Sequence, residues 1–488
     1  MTALAPAPAA GARRFTGSFV AGQWREPKPG TGQDVLDPAD GSVIATVADS
    51  TVAECLESVD AAADALASWA ERPPRQRGEI LRRAFDLMNA ERDAIAHLIT
   101  RENGKLLVDS YGEVAYAAEF FRWFSEEAVR IGGEYRLAPN GDKQIMVTRK
   151  PIGVALLITP WNFPAAMATR KLAPALAAGC SVVLKPALET PLTATYIVDL
   201  LTRAGVPAGV VNLVLPSQPG PAVSAMLHHP ALRKLSFTGS TEVGRLLLRE
   251  AADNVVSAAL ELGGNAPVIV LEDADIDAAV DGVLVAKMRN GGAACTAANR
   301  IYVHRAVADD FAGRLTQRMA ALRLGHGADP ASGVAALVSD AEVEKICRLV
   351  DTTVAAGACA TTGGRRPSGP GAFYPATVLV GVEHGMEITR QEIFGPVAPL
   401  IVFDEEEQAI RWANDTDRGL IGYVFSRDTA RAVRIGHLLD TGMVAINTGV
   451  ASDPAAPFGG VKQSGLGREG SDVGIEEFLE QQYLAVPV

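Results

Sequence analysis

Between residues 150 and 271 the chain alternates short, continuous apolar runs with stretches of helical periodicity, and few folds accept that pattern. The runs are 154–159, 181–184, 210–215, 234–237 and 266–271; the first two end at Pro160 and Pro186. Helical stretches lie between them at 165–178, 191–204, 222–227 and 241–252. Strands that are apolar on both faces, each returned by a helix, predict an α/β fold with a buried parallel sheet covered on both sides. Right-handed crossovers then gather the loops after the strands on one edge, where such sheets bind ligands. A second alternation runs from residue 278 to about 444, with a Gly/Pro-rich loop at 363–375. The last 32 residues read as a loop, a short helix and a final strand. Upstream, periodicity predicts helices over 52–71 and 76–102, the second closed by Gly104.

At 488 residues the chain is too long for one ordinary core, and two or three domains are expected. Its net charge of −12 argues against nucleic acid or an anionic membrane as a general partner. The longest mostly apolar run, 172–184, contains Pro174 and falls short of the ~20 residues of a membrane span. The five cysteines are odd in number, widely spaced and without a CxxC pair. That pattern predicts no disulfide framework and fits a reducing cytoplasm. The seven histidines form no HExxH, so no metal site is expected. About 15 residues at the start lack the apolar stretch of a secretory signal and read as a loose tail.

Several motifs carry chemistry. Gly465-Leu-Gly467-Arg-Glu-Gly470 matches GxGxxG, but only 18 residues follow it, too few for the βαβ unit of a dinucleotide fingerprint. Loop glycines are the better reading. Phe237-Thr-Gly239-Ser240-Thr241-Glu-Val-Gly244 follows a run and opens a helix, where free N–H groups suit a phosphate. Ser240 there could equally serve as a helix cap. Cys295 lies among small residues, Asn290-Gly-Gly-Ala-Ala-Cys295, which let a carbonyl group and backbone N–H groups approach a thiol. An inert buried cysteine is the alternative. Glu261, in Leu260-Glu261-Leu-Gly-Gly264, is expected to be partly buried, which moves a carboxyl toward the range of a base; a structural ion pair is the alternative. Asn162, between Pro160 and Pro164, is held so that its amide could donate to an oxyanion or cap its own turn.

Taken together, the chain resembles the aldehyde dehydrogenase superfamily. The resemblance begins at Phe19-Val-Ala-Gly-Gln-Trp24 and runs through TPWNFP (159–164), KPALETP (185–191), FTGSTEVG (237–244), LELGGNAP (260–267), the Cys295 loop, QEIFGPV (391–397) and PFGGVKQSGLGREG (457–470). It implies a Rossmann-type cofactor domain (1–130 and 151–260), an α/β catalytic domain (261–446), an active-site loop region (447–469) and a small oligomerisation β element (131–150 and 470–488). It implies Cys295 as nucleophile, Glu261 as hydrolytic base and Asn162 with the Cys295 N–H as oxyanion donors. For NAD or NADP it implies Lys185 near the adenine ribose, Gly239, Ser240 and Trp161 near the pyrophosphate, and Glu392 with Phe394 near the nicotinamide ribose. A homodimer or homotetramer acting on a small-molecule aldehyde is implied as well.

NAD-preferring relatives carry Glu three residues after the lysine; here that residue is Leu188 and the glutamate is displaced to Glu189. Leu188 would not repel a 2′-phosphate, so NADP acceptance is expected. Within the superfamily the chain is most similar to succinate-semialdehyde dehydrogenases, through WFSEEAVRIGGE (123–134), ITPWNFPAAMATRK (158–171) and MRNGGAACTAANR (288–300). That similarity implies Arg170, Arg289 and Ser452 around a substrate carboxylate, with glutarate semialdehyde as a longer alternative. A catalytically silent binding protein on this scaffold is the remaining alternative, opposed by the joint presence of Cys295, Glu261, Asn162 and Lys185. Two departures stand out. Ala293 replaces a glutamine common in relatives, and Ala297 replaces a second cysteine found in some, so no local disulfide switch is expected.

Overall fold

The computed structural model describes residues 15–27 and 30–488; the expected tail at the start lies almost wholly outside them. Two open sheets organise the chain. In the first, five parallel strands stand in the order Val211–Leu213, Ser181–Lys185, Val154–Ile158, Leu232–Thr238 and Ser257–Glu261. Numbered along the chain this is 3-2-1-4-5, the doubly wound order whose switch point lies between Val154–Ile158 and Leu232–Thr238. The loops leaving those two strands carry Trp161 and Asn162 on one side and Gly239 and Ser240 on the other. All five residues of Val154–Ile158 and of Ser181–Lys185 are buried, as their unbroken apolar pattern requires.

The second sheet runs Cys359–Thr362, Thr377–Val380, Val397–Phe403, Arg300–His304, Pro267–Val270, Ile421–Phe425, Met443–Ile446. All its neighbours are parallel except the first pair. No helix or strand occurs between Thr362 and Thr377, as the glycines and prolines there predict. Leu479–Pro487 pairs antiparallel with Lys143–Pro151, which pairs with Glu134–Leu137, giving a separate three-stranded sheet. Among the described residues no helix is long and apolar enough to cross a membrane.

Two expectations are corrected. The run at 266–271 does not extend the first sheet: Pro267–Val270 is central to the second. The first is completed instead by Ser257–Glu261, whose SAALE sequence starts exposed and carries too weak an apolar signal to stand out. The long helix over 76–102 is two, Pro74–Ala90 and Arg92–Asn103, meeting at Glu91. The Glu91 N–H still reaches Leu87 O and its carbonyl still accepts from Ile95, so apolar spacing continues across the kink. Its carboxylate is drawn sideways to Arg203 and Tyr196, contacts over 100 residues away that local periodicity cannot report. Gly104 ends the second helix at φ 89, as expected of a left-handed cap.

Candidate active site

The Cys295 loop is shaped by three successive left-handed residues, Asn290 (φ 54), Gly291 (φ 60) and Gly292 (φ 81). A Cβ on Gly292 would collide with the carbonyl of Gly395, so the glycines serve the turn and its packing as well as access. The Asn290 side chain closes the turn by donating to Ala293 O (2.9 Å). Tyr423 Oη donates to Thr296 O at 2.7 Å on the far side. Cys295 is half-buried, and among the described residues no acceptor takes its backbone N–H. Burial pushes its thiol up to about 12; Glu392 and Glu261 push the same way, while Arg170 and Arg289 oppose them. The resting thiol is therefore protonated and needs a base before it can attack.

Glu261 ends its strand at the carboxyl edge, with its carbonyl accepting from Gly239 N at 3.0 Å. Three residues on, a Cβ at Gly264 would collide with the Cys295 carbonyl, so LELGG brings this strand end against the nucleophile loop. The Glu261 carboxyl is 3% exposed and its Oε2 has no hydrogen-bond partner. Burial and the Glu469 charge raise its pKa well above the ordinary carboxylate range, against the pull of Arg170, Lys171 and Arg468.

Asn162 donates through Nδ2 to Ala293 O at 3.2 Å, which aims the amide at the Cys295 loop and leaves its second N–H without an internal acceptor. Lys185 stands at the end of its strand with Nζ donating to Pro186 O at 3.1 Å. Ser240 caps its helix by accepting from Val243 N at 3.3 Å, and the N–H groups of Thr241 and Glu242 remain without internal acceptors. Trp161 meets Phe394 edge to face at 5.3 Å. Glu392 accepts from Gly264 N at 3.0 Å and lies 3.5 Å from Arg418. A lysine, a bare helix start, two facing aromatic rings and a carboxylate around one sheet edge form a donor set that fits a dinucleotide.

The three carboxylate-anchor candidates differ. Arg289 is half-buried, over Phe163 (5.1 Å) and facing Tyr116 (6.0 Å), and its guanidinium makes no hydrogen bond or ion pair among the described residues. Arg170 is 1% exposed and already ion-paired with Glu469. Ser452 is half-buried on the 447–458 loop and hydrogen-bonds to no described residue. The structure also adds residues that spacing did not reveal. Glu469, inside the dismissed GxGxxG segment, accepts from Lys171 Nζ at 2.6 Å as well as pairing with Arg170. Gly465-Leu466 of that segment pairs with Leu260-Glu261, and a Cβ at Gly465 would collide with the Leu260 carbonyl. One signal was available: Arg170 and Lys171 interrupt a helix, Pro164–Ala178, that is otherwise apolar and small and buried at every position. Charges in such a helix require partners.

The aldehyde dehydrogenase family model matches residues 24–484. A succinate-semialdehyde dehydrogenase of Paenarthrobacter nicotinovorans is 51% identical over 91% of this chain and 99% of its own length. A glutarate-semialdehyde dehydrogenase of Pseudomonas putida is 45% identical over 96% and 98%. The crystal structure of an NADP dependent enzyme of E. coli superposes with TM-score 0.95 at 44% identity, covering 97% of this chain and 98% of that one. By these matches the chain is an NAD- or NADP-dependent oxidoreductase and belongs to the aldehyde dehydrogenase family.

Proposed function

We propose that this enzyme oxidises a short aldehyde bearing a terminal carboxylate, succinate semialdehyde to succinate first and glutarate semialdehyde second. The observation that carries the reading is Arg289: a cation six residues before the nucleophile, walled by two aromatic rings and without an ion pair among the described residues, although the Asp109 charge reaches it. An unpaired guanidinium in such surroundings favours a carboxylate of matching reach. Arg170 adds its charge beside Tyr116, and Ser452, without a hydrogen bond among the described residues, offers its hydroxyl from the 447–458 loop.

The reaction follows from the groups in place. Cys295 gives up its proton to water and adds as a thiolate to the aldehyde carbon, forming a C–S bond and an oxyanion. The free N–H of Asn162 and the Cys295 backbone N–H stabilise that oxyanion. Bound at this edge, NAD or NADP supplies the hydride acceptor. Lys185, Gly239, Ser240, Trp161, Glu392 and Phe394 would hold it. Loss of hydride from the former aldehyde carbon leaves a thioester on Cys295. Glu261 then draws a proton from water as the water oxygen bonds to the thioester carbon; the C–S bond breaks, Cys295 leaves as thiolate and the carboxylic acid is released. With a hydrolytic base present, added CoA should not divert the product.

We divide the chain into a cofactor domain (residues 1–130 and 151–260), a catalytic domain (261–446), an active-site loop (447–469) and an oligomerisation element (131–150 and 470–488). Exposed apolar residues on the three-stranded sheet support a homodimer or homotetramer. The five cysteines, all unpaired, fit a cytoplasmic enzyme.

Arg289→Ala should lower kcat/KM for succinate semialdehyde by at least about 30-fold, the lower end of an interrupted buried charge contact. The loss for butanal should stay within about threefold, a small fraction of such a contact. Equal losses for both would remove the carboxylate from the substrate. NADP should be accepted, because Leu188 presents no carboxylate to a 2′-phosphate and Lys185 Nζ has a single internal acceptor. A kcat/KM with NADP under roughly a hundredth of that with NAD, a gap of about 2.7 kcal/mol, would reject that part.

A further inference from the structure

Asn162 sits on a loop without regular secondary structure, between the strand Val154–Ile158 and the helix Pro164–Ala178. Its backbone is nevertheless held from two sides. The Asn162 carbonyl accepts from Asn290 Nδ2 at 2.8 Å, which ties it to the Cys295 loop. From the opposite direction it accepts from Lys105 Nζ at 2.7 Å. Lys105 also donates to Glu113 Oε2 at 2.5 Å and lies 4.3 Å over the ring of Phe163. The other Glu113 oxygen accepts from the N–H groups of Ala165 (2.8 Å) and Ala166 (3.2 Å), in the first turn of the helix that follows the loop. Both side chains are fully enclosed, 1% and 0% exposed.

A buried ion pair gives little net stability over apolar residues of similar volume. Its placement is what distinguishes this one. One partner grips the carbonyl of Asn162, the other fixes the helix start two residues beyond it, and they grip each other. Neither touches Cys295 or Glu261 by hydrogen bond or ion pair. The pair comes from Lys105, just past the Gly104 cap, and from Glu113 on the helix Leu107–Glu127. A rigid layer of the helical region thus reaches into the loop.

We propose that Lys105 and Glu113 are positioning residues of the oxyanion hole. They hold the Asn162 backbone so that its side-chain amide meets the carbonyl oxygen where charge develops. An oxyanion donor misplaced by about 1 Å can cost on the order of a hundredfold in rate. This rests on the reading of Asn162 as oxyanion donor, which Asn162→Ala tests alone.

The test is a double-mutant cycle in the full-length enzyme with saturating cofactor, using Lys105→Met, Asn162→Ala and the pair. A second series uses Glu113→Gln, which keeps acceptors for Ala165 and Ala166 and guards against misfolding of the lysine variant. Lys105→Met should lower kcat by roughly 30- to 100-fold, and Glu113→Gln should lower it less. KM for the cofactor and the rate at which iodoacetamide alkylates Cys295 should each stay within about twofold, because neither uses the oxyanion donor. In the Asn162→Ala background, Lys105→Met or Glu113→Gln should cost almost nothing further, the non-additivity of residues acting as one unit. Additive losses in both series, or a matching fall in alkylation rate, overturn the assignment of Lys105 and Glu113 while leaving Asn162 in its role. A kcat within twofold of the parent for Asn162→Ala overturns the donor reading itself, and this inference with it.

Discussion

Two regions of this molecule break the rule of apolar inside and polar outside, and they break it in opposite directions. At the carboxyl edge of the first sheet, Glu261, Glu469, Arg170 and Lys171 are buried together, and Lys105 with Glu113 close by. On the three-stranded sheet, Tyr135, Leu137, Tyr483, Leu484 and Val486 face solvent. Buried charge is costly unless paired, and every charge at the first site is paired except the Glu261 carboxyl. That exception is the group proposed as the base, and an ion pair would weaken it in that role. The exposed apolar strands find no cover among the described residues. The first departure is resolved within one chain; the proposed homo-oligomer would resolve the second between chains.

If the buried region is chemical and the exposed one associative, substitutions should separate them. The largest effect is expected for Cys295→Ala: at least about a 10⁴-fold loss of dehydrogenase turnover, with unchanged sedimentation. Retained turnover in the purified variant would falsify the nucleophile assignment and dissolve the contrast. Next, Glu261→Gln should lower kcat by about 10²–10⁴-fold and leave acylated Cys295 visible by mass spectrometry. The wild-type pH profile should carry the same signature. A carboxyl whose folded pKa is raised is protonated at low pH, and the ionised fraction able to act as base grows as pH rises; the raised thiol of Cys295 acts in the same sense. So kcat/KM should climb from acid through neutral to alkaline pH; a profile flat across that range would place the titrating groups elsewhere. The smallest catalytic effect should come from Leu484→Lys. Removing one leucine from an apolar contact costs about 1.5–3 kcal/mol, so sedimentation should shift toward smaller species while turnover per active site changes little. An unchanged sedimentation profile would leave the exposed strands without their proposed partner.

Much of this was legible in the chain because its signals are local. Val154–Ile158 and Ser181–Lys185 announce buried parallel strands, and the loops after them place Trp161, Asn162 and Lys185 on one edge. The glycines around Cys295 were legible as access to the thiol, though the left-handed turn they form was not. Illegible were the strand SAALE, whose pairing outweighs a weak pattern, and the break at Glu91, fixed by contacts with Tyr196 and Arg203.

What the sequence alone determined is the order of strands and helices, and with it the edge on which chemistry-bearing loops gather, because strand and helix periods follow from neighbours a few residues apart. Only the tertiary structure decided which charges meet: Glu469 with Arg170 and with Lys171, 298 residues away, or Lys105 with the carbonyl of Asn162. Burial makes such pairings obligatory, since no buried charge can stay alone cheaply, yet the choice of partner is made by packing across the fold, which no local spacing records.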